Sequence, residues 1–198
     1  MGLTACSPAL NWREISPDGA ALQLMFPCKP DREERQQPGP GGRSLSLHTL
    51  SCEARGWQFS LTWTDLGDPS AVPPALRRMT EGLAQQLSSQ ASAPLALRGM
   101  TPDPSSRQQT LVARPGQPAQ VVRQAVFARG GRVYQLLMQG RQAGAGVTGL
   151  PASGAGGYVQ SGESGPSGQS AKTSAGKGVA SEADEAWDVW LGSIRLPG

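Results

Sequence analysis

The sequence predicts an α+β domain, an antiparallel β-sheet covered by helices. Three observations carry this. Runs of alternating apolar and polar residues recur between Leu22 and Gln139. Two other segments, after Pro73-Pro74 and near Trp187, instead repeat their apolar residues at helical spacing. Turn signals at Pro38–Gly42, Ala54–Gly56 and Gly130-Gly131 separate neighbouring runs. Strands, helix, strands and a closing helix in that order fit a sheet with helices packed on it.

Taken in order, Asn11–Ile15 is a short strand candidate. Leu22, Leu24 and Phe26 alternate with Gln23 and Met25, the pattern of a half-buried strand, and Pro27-Cys28-Lys29-Pro30 ends it. Asp31–Gln37 is polar and reads as exposed, and Pro38-Gly39-Pro40-Gly41-Gly42 is a turn cluster. Ser44–Cys52 alternates through Leu45 and Leu47. Trp57, Phe59, Leu61 and Trp63 then interleave with Gln58, Ser60, Thr62 and Thr64, giving one aromatic-rich face and one polar face.

Pro73-Pro74 suits the first turn of a helix, and Leu76, Met79, Leu83 and Leu87 follow on one side of it. Leu95–Arg98, Gln109–Ala113, Val121–Ala128 and Val133–Gln139 read as further strands, the last two joined by a tight Gly130-Gly131 hairpin. Gly140 to Ala180 holds twelve glycines and almost nothing apolar, so composition predicts a flexible insertion over 141–180. Ser181-Glu182-Ala183-Asp184 resembles a capping box opening a helix whose apolar face is Ala183, Trp187, Trp190, Leu191 and Ile194. The expected organisation is a tether over 1–10 and one domain formed by 11–140 and 181–198. That domain is long enough for one sizeable core.

The net charge is +3, and the arginines are scattered from Arg13 to Arg195 with only Arg77-Arg78 adjacent. No basic stripe results, and no nucleic-acid partner is expected. His48 is the single histidine, and neither Cys-x-x-Cys nor His-x-x-x-His spacing occurs. No metal or cofactor is therefore expected. A Ser–His–Asp arrangement around His48 would lack the Gly-x-Ser-x-Gly turn that exposes a nucleophile, so a histidine on the sheet surface is the favoured reading. Glu33-Glu34 and Asp184-Glu185 lie in polar surroundings and read as solvated charge rather than an acid–base pair. The tryptophans on the 57–63 strand and on the closing helix read as core between sheet and helix; the alternative is that some line a pocket.

The cysteines can be tested by register. If Pro38 faces Arg43 across a hairpin, Cys52 falls opposite Lys29, one position from Cys28. A small slip or bulge then brings the two sulfurs together. The resulting disulfide would close a loop of about 25 residues and stabilise by roughly 3 kcal/mol. Two buried free thiols are the alternative.

Leu3-Thr4-Ala5-Cys6 has the form of a bacterial lipobox, with Cys6 as the lipidated residue. Only five residues precede Cys6, too few for a charged n-region and an apolar h-region, so this reading expects a start further upstream. Lipidation of Cys6 would leave Cys28 and Cys52 as an even pair for an oxidising compartment.

Asn11–Ile15, Leu24–Pro30, Leu50–Ala54 and Trp190–Leu196 resemble segments of small proteobacterial lipoproteins of unknown function. The strand ending in Phe-Pro-x-x-Pro and the helix running into Ser193-Ile194-Arg195-Leu196 are similar to the PsbP-like fold. The resemblance spans Asn11–Gly140 and Ser181–Leu196. It implies an antiparallel sheet packed between helices and a non-catalytic binding or assembly role, with no catalytic residues to carry over. The expected protein is a lipid-anchored envelope module facing the periplasm. Its expected partners are the bilayer, through Cys6, and a protein component. Ser7 after Cys6 would permit sorting to the outer membrane. A periplasmic hydrolase or small-molecule binder using His48, and a soluble cytoplasmic interaction domain, are the competing classes.

Overall fold

A computed structural model describes residues 10–39, 42–141 and 175–197, without the side chains of 175–181. The lipobox with Cys6, Pro40-Gly41 of the turn cluster and the 142–174 part of the low-complexity stretch lie outside the described residues. In chain order the elements are β1 (Arg13–Ile15), β2 (Leu24–Phe26), β3 (Asp31–Pro38), β4 (Ser44–Ala54), β5 (Trp57–Asp65), α1 (Val72–Ala84), β6 (Ser88–Pro94), β7 (Arg107–Val112), β8 (Val121–Arg129), β9 (Arg132–Gly140) and α2 (Ala175–Gly192). Strands β3 to β9 form one antiparallel sheet of order β3-β4-β5-β9-β8-β7-β6, and β1 pairs with β2 in a separate ribbon. The α+β architecture is as the sequence predicts.

Alternation in the central strands divides the core in two. Phe59, Leu61 and Trp63 of β5 lie on one sheet face with Tyr134, Leu136 and Met138 of β9. Phe26 of β2 and Ala183, Trp187, Trp190 and Leu191 of α2 cover them. Val126, Ala128 and Val133 point to the opposite face, where Val72, Ala75 and Leu76 of α1 meet them. After α2 the chain is stitched to the ribbon. Gln23 and Arg195 exchange backbone hydrogen bonds of 2.9 and 2.8 Å, and the Met25 amide donates to the Ser193 hydroxyl. Arg123 on β8 helps to orient α2 through an ion pair with Asp184. Burial pulls the Arg123 pKa below its ordinary value, against the opposing field of Asp188.

The α1 layer is tied down by polar contacts inside the sheet–helix interface. Gln109 donates to Gln124 at 2.5 Å, and their amides also donate to the Thr80 and Met79 carbonyls. Gln124 is fully buried, so removing it strands a helix carbonyl away from water. Gln124→Leu is expected to lower the unfolding free energy by about 1–3 kcal/mol in a urea titration. Gln109→Leu/Gln124→Leu should cost less than the sum of the single changes, because it removes the mismatched partners together.

Four expectations are corrected. Leu95–Arg98 is not a strand; the pairing segment is Ser88–Pro94, which contacts β7 on one side and is exposed along most of its length. The helix is already under way at Ser181, having begun at Ala175, so the Ser181 capping box is not its start. The segment Ala175–Ala180 contains no proline, and its Ala and Lys residues suit a helix even among glycines. The first strand is shorter than Asn11–Ile15 and belongs to the ribbon rather than the main sheet. Finally, Pro38 faces Ser44, one residue past the expected partner.

That shift moves Cys52 away from Cys28 in register, yet the two cysteines form a disulfide with Cα atoms 6.0 Å apart. The β3–β4 ladder stops at Asp31 and Ser51, so Cys28 lies beyond it on the Pro27–Pro30 bend and is free to swing toward Cys52.

Candidate binding cleft

The end of the domain away from α1 holds an apolar cleft of about 500 Å³. Its floor begins at the β4–β5 hairpin. Arg55 and Gly56 both have positive φ, 54° and 74°, the pairing a two-residue I′ turn requires. This turn sends Trp57 into the start of β5, opposite Gly140 of β9. A Cβ at Gly140 would come within 2.7 Å of the Trp57 ring, so the glycine lets the indole lie against the backbone. Phe59, two residues on, is fully buried and forms the deep end.

One wall is the approach to β1. The Asn11 amide donates to the Pro27 carbonyl at 2.9 Å, which fixes Leu10 and Trp12 along the cleft. The other wall is α2, where Ala183 and Ala186 leave room that larger side chains would fill. Val189, 43% exposed, is the one exposed large hydrophobic residue among the described residues, and it borders this cleft. The rim is charged. Arg55 stands 3.9 Å from Glu182, and Glu185 lies one turn further along α2. A mostly apolar hollow with a few polar groups at its mouth is the usual form of a ligand or partner site.

A second groove, of about 710 Å³, runs between α1 and the β3–β4 hairpin. Three of its polar groups, Thr64, Asp68 and Ser70, already serve the fold. The Asp68 carboxylate accepts from the Ser70 hydroxyl and amide, which hold its pKa below the ordinary value, and the Thr64 hydroxyl donates to the Ser46 carbonyl.

The residues singled out from sequence do not converge. Cys6 lies outside the described residues. Cys52 faces Phe59 across the β4–β5 ladder, so the disulfide braces the deep end of the cleft. His48 stacks on Trp63 with ring centroids 5.2 Å apart and sits 3.8 Å from Glu34. It is six residues along β4 from Ala54, roughly 20 Å from the cleft mouth, and lines neither groove. Among the described residues, no group of three or more His, Cys, Asp or Glu comes together as a metal site.

The tryptophans divide into two sets. Trp63, Trp187 and Trp190 are core, while Trp12 and Trp57 are half-buried and line the cleft. Periodicity placed Trp57 on the correct face. It could not show that α2 stops short of covering it. No protein-family model matches the chain, and no curated protein matches it in sequence.

Proposed function

We propose that this chain is a non-enzymatic, lipid-anchored binding or assembly module of the bacterial cell envelope, and that it binds through the cleft beside α2. The observation that carries the binding site is the half-buried pair Trp12 and Trp57 next to exposed Val189. Aromatic anchors around an apolar hollow with a charged rim are the composition of a recognition surface. The Cys28–Cys52 disulfide supports a compartment outside the cytoplasm, because such bonds persist where thiols are not kept reduced. The lipobox form of Leu3–Cys6 and the resemblance to small PsbP-like lipoproteins support the anchor. Multiple acyl chains on Cys6 would hold the domain stably, where one chain would not. Cys6 lies four residues from Leu10 on the cleft wall, so bilayer and cleft mouth would be neighbours.

Two measurements on the protein expressed behind an export signal test this. The wild type is expected to take up labelled fatty acid and partition into detergent, and Cys6→Ala to do neither. A photo-crosslinker at Val189 is expected to give a discrete adduct in intact envelopes, while one at Arg78 on the α1 side gives none. Unlabelled, water-soluble wild type would refute the anchor. Equal crosslinking from both positions would refute the cleft as the binding face.

A further inference from the structure

The Cys28–Cys52 bond joins one wall of the cleft to its floor. We propose that this bond is a redox latch: oxidised, it holds the cleft in its binding shape, and reduction by a dithiol releases the wall and weakens binding. This rests on the reading that the cleft is the binding site.

The connection to the wall runs through one residue. Pro27 precedes Cys28, and its carbonyl accepts from the Asn11 amide at 2.9 Å, between wall residues Leu10 and Trp12. The connection to the floor runs across one ladder. Cys52 faces Phe59, the deep end of the cleft, and Ala54 faces Trp57. Each half of the disulfide therefore lies next to groups that line the cleft.

The neighbouring ties hold other parts of the ribbon. Phe26 packs edge-on to Trp190, and the Met25 amide donates to Ser193. The Pro27–Pro30 bend that follows belongs to no strand, and the β3–β4 ladder begins only at Asp31. With the S–S bond open, the bend can shift at Pro27 while the ribbon and the core stay docked. The Asn11 amide then opens to water, and half-buried Leu10 and Trp12 move with it. Affinity falls with the fraction of molecules whose wall is in place.

Both cysteines are half-buried rather than enclosed, so a reductant can reach them. One thiolate of the dithiol attacks one sulfur, and the S–S bond breaks as a mixed disulfide forms. The second thiol of the dithiol then displaces the cysteine. Two electrons and two protons pass to Cys28 and Cys52, and the dithiol leaves as a disulfide. The coupling is reciprocal. A probe that binds the oxidised form tenfold more tightly lowers the reduction potential of the bond by about 30 mV at saturation.

The test uses the full chain with Cys6→Ala, so that the third cysteine cannot enter the exchange. N-phenylnaphthylamine is the apolar probe, titrated into oxidised and dithiothreitol-reduced protein, and amide hydrogen exchange is followed on both forms. Reduction is expected to weaken the probe about tenfold and to speed exchange at Asn11 by at least as much. The amides of β8 should keep their protection, which shows that both forms are folded. Saturating probe should lower the reduction potential by about 30 mV. Asn11→Pro, an exposed change, removes the amide donor with the disulfide intact. It should weaken the probe in the oxidised form and leave reduction little further to do. Equal affinity of the two forms, unchanged exchange at Asn11, or additive effects of Asn11→Pro and reduction would overturn the latch alone. Loss of β8 protection on reduction would also overturn it, since the bond would then hold the whole fold. A probe that binds neither form would overturn both the latch and the cleft as the binding site.

Discussion

Trp190→Ala is expected to lower the unfolding free energy by about 3–5 kcal/mol, the range for deleting a buried aromatic side chain. A domain of this size holds only about 5–15 kcal/mol in total, so the variant should be partly unfolded at growth temperature. Trp190 is fully buried where the three parts of one core meet. Its ring makes edge contacts with Phe26 of the ribbon, Phe59 of the sheet and Trp187 of its own helix, at 5.5, 5.2 and 6.0 Å. Among the described residues its indole N–H has no hydrogen-bond partner. Trp190→Phe therefore loses volume but no polar contact, and about 1–3 kcal/mol is expected. Urea titrations of the three proteins check this. A loss under about 1 kcal/mol for the alanine variant would show that α2 is not integral to the core.

Removing the Cys28–Cys52 bridge is expected to cost about 3 kcal/mol, because the bond closes a loop with a sequence separation of 24. The loop contains β3, which has no buried residue and, among the described residues, no second neighbouring strand. Without the bond, β3 is held to the sheet by the β3–β4 ladder alone among its strand pairings, while the ribbon keeps Phe26 in the core and its stitch to Arg195. Melting of the oxidised protein, the reduced protein and Cys28→Ala/Cys52→Ala should show one high and two similar lower transitions. Equal melting of all three would mean that the bond stabilises nothing.

Two central strands, Trp57–Asp65 and Arg132–Gly140, were legible from alternation that follows from their burial. Val121–Arg129 is buried on both faces from Gln124 to Ala128, and its strand character showed instead in a short apolar run ending at the Gly130-Gly131 turn. The edge strands were not legible. Asp31–Pro38 and Ser88–Pro94 are exposed over nearly their whole length, so nothing selects apolar residues at every second position. Their strand character comes from the neighbour each pairs with, a tertiary cause that local sequence does not carry. The charges of β3 and its closing Pro38 instead suit an edge that must not recruit another chain. The disulfide pair was legible in outline, although the register was off by one and the bend beyond Asp31 supplied the needed reach. The cleft was half legible. The aromatic face of β5 was evident from spacing, but the cleft depends on small Ala183 and Ala186 standing opposite it, a pairing between distant segments.

The stitch between Gln23 and Arg195 has a consequence for the order of events in folding. Strand β5 pairs locally with β4, but its other edge must wait for β9, which pairs Trp57 with Gly140, and the aromatic face they create stays bare until α2 follows every strand in chain order. Contacts this far apart in sequence form slowly, since loops must close before burial rewards them. A chain emerging from the ribosome would thus leave this aromatic face uncovered until α2 had been made, so the core on that side closes only after synthesis has passed the last strand.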